Sequence, residues 1–367
     1  MVESLYIHIP FCSYKCPYCD FLSLVNPHID HWSYLELLLR ELELYQDIEI
    51  EPKTLYLGGG TPSLISPKLY KRFLEEMSKR VNLSSVEEVT IECNPENYSF
   101  DDLLMLLRDI GFNRISFGVQ SLREEGLRAL GRAHSPEDAL RAIELAHRAG
   151  FENINADFIF GYHGQTLSDL ELELKLLDEL PLMHLSFYLL TPYEDTQIGK
   201  LYSMGLLNLP DGDTVADMYE LVCERLEALG YEHYEISNFA RPGFRCKHNL
   251  VYWDHREFLG LGVSSWSFIG SVRFGNTRNL QIYTNALKEG RRPVEYGEVL
   301  YGEEAYYDYL FVKLRTKDGV RLEELPPLPE DILHLFEIEG ERARLSRRGM
   351  LLFNEVMLRL RDSILKV

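Results

Sequence analysis

Cations are in short supply in this sequence. Its 367 residues carry 38 Lys and Arg against 58 Asp and Glu, a formal charge of −20. Such a surface repels phosphate backbones and anionic lipid, so nucleic acid is not expected as a partner. Cysteine is scarce too: six residues are too few for a disulfide scaffold. No apolar run approaches the roughly 18–20 residues that span a bilayer. Met1 to Ile9 shows neither a basic n-region nor a long apolar h-region, so no signal peptide and no transmembrane segment are expected, and the expected location is the cytoplasm. Apolar residues, by contrast, are plentiful. They make up 46% of the chain, with 22 Tyr and 18 Phe, which describes a packed protein and excludes general disorder.

Short apolar runs alternate with longer amphipathic stretches through the first half. The pattern predicts strands at Leu5–Ile9, Thr54–Leu57, Glu88–Glu92, Arg114–Gly118, Ile154–Ile159 and His184–Leu189. Helices are expected between them at Ser33–Tyr45, Pro67–Arg80, Phe100–Asp109, Pro136–Ala149 and Leu167–Leu180. Six βα units in series predict an α/β fold with a parallel sheet, as a partial (βα)6 barrel rather than a closed eight-fold one. This barrel is assigned to residues 1–200. A further helix is expected at Asp213–Leu229, and residues 201–300 are read as a barrel extension rich in aromatics. Residues 301–367 are read as a small helical accessory domain with helices at Glu303–Leu314 and Arg348–Arg361.

Three of the six cysteines, Cys12, Cys16 and Cys19, crowd into HIPFCSYKCPYCDF directly after the first strand. Pro10 and Pro17 argue against a helix through all three, so a wrapping loop is expected. Thiolates are the usual ligands of iron–sulfur clusters. Three cysteines on a four-iron cube leave one iron open to a small molecule, as an open position distinguishes catalytic from closed structural metal sites. A zinc knuckle lacking its fourth ligand, or buried free thiols, are the competing readings. Gly58–Ser63, GGGTPS, follows strand two, and its glycines allow backbone amides to approach a ligand. It lacks the spacing of a phosphate loop, and a plain tight turn is the alternative. Glu92, Gln120 and Asp157 fall at or near the C-terminal ends of strands three to five, the end at which barrels of this kind bind ligands. Arg132 could meet a carboxylate. Taken singly, each of these suits a helix cap or a solvated loop.

The spacing C-x3-C-x2-C with Tyr18 before the last cysteine resembles the signature of the radical SAM superfamily, whose fold is the partial barrel. The resemblance implies a [4Fe–4S] cluster on Cys12, Cys16 and Cys19. It further implies S-adenosylmethionine (SAM) on the open iron through its amino and carboxylate groups. Similarity to the coproporphyrinogen dehydrogenase-like branch implies SAM contacts from Tyr6, Tyr18, Gly59, Gly60, Thr61, Glu92, Gln120, Arg132 and Asp157. Within that branch, the dehydrogenases carry a fourth cysteine two residues after the third and a long arm before the motif. Here Phe21 occupies that position and the motif starts close to Met1. Both features favour the HemW group of haem chaperones. HNLVYW, His248–Trp253, is similar to the H-N-x-x-Y-W stretch associated with haem in that group. An imidazole is a common axial ligand of haem iron, and Tyr252 and Trp253 offer flat apolar surface. A core histidine among aromatics is the alternative. The resemblance thus implies haem, a haem-accepting apoprotein and an electron donor as partners. Oxygen-independent coproporphyrinogen dehydrogenase and a cluster sensor that never cleaves SAM are the other functions weighed. Cys93, Cys223 and Cys246 are read as small buried hydrophobes. His163 in GYHGQT (161–166), where the family has Leu-Pro, is given no role.

Overall fold

A computed structural model describes residues 1–97 and 100–364. Its six central strands show one alternation. Apolar residues occupy every second position in β1 (Val2–Ile9), β2 (Ile50–Gly59), β3 (Glu88–Cys93), β4 (Arg114–Gln120), β5 (Asn153–Phe160) and β6 (His184–Leu189). Successive side chains of a strand face opposite sides, so each strand presents one apolar and one polar edge. Parallel pairing brings Leu5 beside Leu55 and Ile91 beside Ile115, which gathers the apolar positions on the outer face. There they form the core with Leu35, Leu38, Phe73 and Ile143 of the surrounding helices. The inner face collects Ser4, Tyr6, Thr54, Tyr56, Glu92, Arg114, Ser116, Asn155, Asp157, His184 and Ser186. The inside of this barrel is therefore polar.

Helices α1 (His31–Glu43), α2 (Pro67–Ser78), α3 (Phe100–Asp109), α5 (Pro136–Arg148) and α6 (Leu167–Lys175) stand where they were expected, and a short α4 (Glu124–Ala129) is one that the pattern did not reveal. Ser135 and Asp138 form a capping box at α5, and Thr166 and Asp169 form another at α6. α6 ends five residues earlier than expected; the chain runs on through turns to Pro181, whose ring bars αR geometry in the residue before it.

Beyond residue 230 the structure adds strands that the sequence pattern did not reveal. β7 (Glu232–Glu235) and β8 (Asn238–Ala240) extend the sheet antiparallel beyond β6. β9 (Leu259–Leu261) lies parallel to β1 on the opposite edge. The sheet order is β9-β1-β2-β3-β4-β5-β6-β8-β7. Residues 201–300 thus close both sheet edges, and the barrel has a seventh parallel strand delivered from far along the chain. The tail, expected to be helical, also holds a three-stranded antiparallel sheet formed by Val320–Arg321, Phe336–Glu339 and Arg342–Leu345. Strands of two to four residues are too short to show an alternation. The expected helix at Arg348–Arg361 is two helices, Arg347–Leu351 and Phe353–Ile364, and residues 365–367 lie outside the described residues.

α1 is fastened to the β9 loop by a buried carboxylate. Glu41 accepts from Tyr283 Oη at 2.5 Å, Gly262 N at 2.7 Å and Asn276 Nδ2 at 2.5 Å. Burial without a cation pushes its carboxyl up to about 7, against the hydrogen bonds that favour the ionised form. A folded-state value raised above the unfolded 4.5 means that unfolding releases a proton between those two pH values. Stability from this group is full below the lower value and lost as pH rises through the upper one. Burial raises Glu92 and Glu173 in the same way. Glu41→Gln should therefore flatten the fall of Tm between pH 5 and pH 8; thermal melts across that range, with an unchanged slope as the negative result, test it.

Candidate cluster and cofactor site

The cysteine loop is fixed to strand β2 through backbone. Gly60 N–H donates to Ile9 O at 2.8 Å, Thr61 N–H to Phe11 O at 2.7 Å, and Leu24 N–H to Pro10 O at 2.6 Å. A Cβ on residue 60 would stand 2.6 Å from Phe11 O and 2.9 Å from Ile9 O, so glycine is required there. Gly59 has φ +114°, and a Cβ on it would press against the His8 ring at 2.5 Å. The glycines expected to admit a ligand also admit the protein's own loop.

That loop has no helix after Cys12, and its three thiols are half-buried. Cys12 Sγ lies 3.5 Å from Thr61 Oγ1, and Arg132 Nη1 donates to Cys16 Sγ at 3.1 Å. Burial pushes the Cys12 thiol up and Cys19 up to about 11, and Cys16 adds to both shifts. Thiolates at this site need a compensating charge. Among the described residues no three His, Cys, Asp or Glu side chains are arranged to share one metal ion.

Around the thiols stands the polar end of the barrel wall. Glu92 accepts from Tyr56 Oη at 2.8 Å and from Gly59 N–H at 2.9 Å, and burial raises its carboxyl to about 7. Tyr6 stacks on Tyr56 with ring centroids 6.1 Å apart, and its hydroxyl meets His8 Nδ1 at 3.1 Å. Asp157 accepts from Ser116 Oγ at 2.9 Å and Asn155 Nδ2 at 3.0 Å, and burial raises it as well. Gln120 ends β4 at φ +66°, beside a register shift in the β4–β5 pairing. A non-glycine residue in the left-handed region is strained, and such strain gathers at ligand sites. Tyr18 is half-buried against a small apolar cluster of Leu130, Ile159, Tyr162, Leu190 and Ile198. Thr61 Oγ1 also accepts from Asn94 Nδ2 at 3.0 Å.

Arg132 is not the exposed helix-end arginine of the bland alternative. Its side chain is 3% exposed and Nη2 donates to Asn94 Oδ1 at 3.0 Å, Glu96 Oε2 at 3.0 Å and Gly118 O at 3.2 Å. His134 meets the same Glu96 oxygen at 3.1 Å through Nδ1 and Val119 O at 2.9 Å through Nε2. Burial opposes ionisation of Glu96, yet His134 and Arg132 together hold its carboxyl below the usual range. Asn94, Glu96, His134 and Tyr56 escaped sequence reasoning. The signal available was Asn-Pro-Glu after β3 and a histidine two residues beyond Arg132.

His248 stands apart from this group. It lies on α9 (Lys247–Trp253), following α7 (Gln197–Ser203) and α8 (Gly212–Ala228), and α9 plugs the barrel at the N-terminal strand ends. Glu88, at the start of β3, accepts the N–H groups of Lys247 and His248, each at 3.0 Å. The His248 ring is 1% exposed. Its Nδ1 meets Ser4 Oγ at 2.9 Å and Thr54 Oγ1 at 3.0 Å, and its Nε2 meets Tyr252 Oη at 2.7 Å. Burial, then the Arg114 charge, drives it down to about 3, so the ring is neutral. Both nitrogens are occupied, and a haem iron has no access to either while α9 stays in place. His163 accepts from Asn208 N–H at 2.8 Å and pins that loop.

Known proteins resemble this chain in sequence and in fold. Residues 6–177 match the model of the radical SAM superfamily, which brings a [4Fe–4S] cluster and SAM as the cofactors of the domain. The heme chaperone HemW of Lactococcus lactis is 38% identical over 323 residues, covering 88% of this chain and 84% of that protein. The HemW of Escherichia coli is 39% identical over 283 residues, covering 76% and 72%. The chain belongs to the HemW family. The solved coproporphyrinogen III oxidase HemN of Escherichia coli superposes with a TM-score of 0.82 over 98% of this chain and 90% of that one. At 22% identity that likeness establishes the fold alone. The partial barrel with a smaller accessory domain is thus the observed architecture. Among the described residues no helix is long and apolar enough to cross a membrane.

The backbone interlock generates a test. Gly60→Ala must push the cysteine loop away from β2. Anaerobic reconstitution of that variant should recover less than half the iron of the parent at a comparable Tm; equal iron content would show that the interlock is not what fixes the loop.

Proposed function

We propose that this chain binds haem and hands it to an acceptor protein in the cytoplasm, and that it carries a [4Fe–4S] cluster on Cys12, Cys16 and Cys19 with SAM on the open iron. The observation that carries the reading is the 38% identity to a haem chaperone across 88% of the chain. Phe21, 63% exposed on the cysteine loop, supports it, since the dehydrogenases of this branch are expected to carry a cysteine there.

The residues present fit the two cofactors. The half-buried thiols supply three ligands and leave the fourth iron free. Arg132 Nε is buried and, among the described residues, has no hydrogen-bond partner, so a donor waits for an anion such as the SAM carboxylate. When bound, the reduced cluster supplies an electron to SAM. The chain's own part is to hold and orient. Arg132 steadies the Cys16 sulfur, Gly59 and Gly60 let the loop and ligand lie close to β2, and Glu92, held by Tyr56 and Gly59, faces the bound SAM. Tyr6, Tyr18, Thr61, Gln120 and Asp157 complete the wall. An electron donor for the cluster and a haem-accepting apoprotein are the partners this function requires. Haem ligation by His248 requires α9 to leave the barrel.

Anaerobic reconstitution should give about four irons per chain and a reduced EPR signal that changes on adding SAM. Cys12→Ala should lose that cluster. The reconstituted protein should bind haemin with a Soret band and transfer it to an apo-haem protein. It should also leave coproporphyrinogen III unconverted when reduced and supplied with SAM. Robust decarboxylation with no haem transfer would replace this function with the dehydrogenase.

A further inference from the structure

The inside of the barrel links α9 to the SAM end through few contacts. The His248 ring lies against Tyr56, with centroids 4.8 Å apart and planes at 29°. Tyr56 Oη donates to one oxygen of Glu92 at 2.8 Å, and the other oxygen accepts Gly59 N–H at 2.9 Å. One aromatic contact and two hydrogen bonds therefore separate the HNLVYW helix from the glycine segment. Beneath the imidazole, Ser4 and Thr54 bond its Nδ1 and also each other, with their oxygens 2.8 Å apart. From the other side, Tyr252 Oη holds Nε2. Glu88 fixes the first turn of the helix by accepting two backbone N–H groups. The ring has no freedom to tilt away from Tyr56.

We infer that His248 is a positioning residue for SAM: it is the floor that keeps Tyr56 upright, so that Tyr56 holds Glu92 and Glu92 holds Gly59 at the geometry the ligand needs. The inference rests on the reading that SAM lies against Gly59 and Glu92. It assigns the histidine of HNLVYW a task in the closed barrel that needs no haem iron. Without the ring, Tyr56 drops into the vacated space and its hydroxyl leaves Glu92. The carboxylate then keeps one donor of two, and a buried carboxylate missing a hydrogen bond moves to find another. The loss at the ligand should be on the scale of one hydrogen bond, about five- to tenfold in affinity.

The test uses the full reconstituted chain, with SAM affinity measured by calorimetry or equilibrium dialysis and haemin binding followed by the Soret band. Three variants are compared. His248→Ala removes floor and imidazole together. His248→Phe keeps a ring under Tyr56 but cannot ligate iron. Tyr56→Phe keeps the stack but deletes the bond to Glu92, and it does not disturb α9. SAM affinity should fall about five- to tenfold in His248→Ala and Tyr56→Phe, and return to near the parent value in His248→Phe. The Soret position should be unchanged in all three. The inference is overturned if His248→Ala and Tyr56→Phe bind SAM as the parent does, or if both His248 variants lose the Soret band equally while SAM binding is untouched. The latter result would make His248 the haem ligand. Failure of the parent itself to bind haemin would remove the chaperone function but leave the SAM measurements, and this inference, standing on their own.

Discussion

The cysteine loop carries the three thiols proposed to hold the cluster, yet it has almost no regular structure to hold it. What holds it is main chain on main chain: the ends of β1 and β2 and the first loop residues share hydrogen bonds at Ile9, Pro10 and Phe11. Backbone pairing of this kind needs no particular side chain except where a Cβ would intrude, and that is where the glycines stand. Once the loop is fixed, Arg132 reaches the Cys16 sulfur from the far side of the barrel and Thr61 approaches Cys12 from the near side. The site is therefore assembled from the cysteine loop, strands β1 to β5 and the loop before α5, and no single element contains it.

The second constraint is the polarity of the barrel interior. An inner face lined with hydroxyls, amides and carboxylates cannot be left unpaired away from water. The paired solution runs around the wall from Ser116 and Asp157 to Asn155, His184 and Tyr234. Two consequences follow. The interior is specific, because each group's partner fixes its orientation. It is also connected, because a displaced member leaves its neighbour without a partner.

Much of this was legible in the sequence. The two-residue alternation of the first six strands and the amphipathic stretches between them are local signals, and the barrel units follow them within a few residues. The cysteine spacing and GGGTPS are local as well. β9 was not legible because Leu-Gly-Leu carries no alternation of its own; only its pairing with Leu5, Tyr6 and Ile7 makes it a strand. Nor could the place of His248 be read. HNLVYW describes a short amphipathic turn, and nothing within it says that Ser4 and Thr54, some two hundred residues away, will receive the imidazole. Glu96 and His134 were missed for the same reason: their meaning depends on the position of Arg132, a tertiary fact.

The sheet order also bears on how the chain is made. β1 precedes every other barrel strand in the sequence, yet one of its edges is covered by Leu259–Leu261, more than 250 residues later. Until that segment has left the ribosome, β1 presents an unpaired row of N–H and C=O groups, an edge open to pairing with other chains. Long-range parallel pairing of this sort forms slowly because the loop entropy must be lost before any contact is gained. The nascent barrel is thus open along the very strand that leads into the cysteine loop until β9 is added.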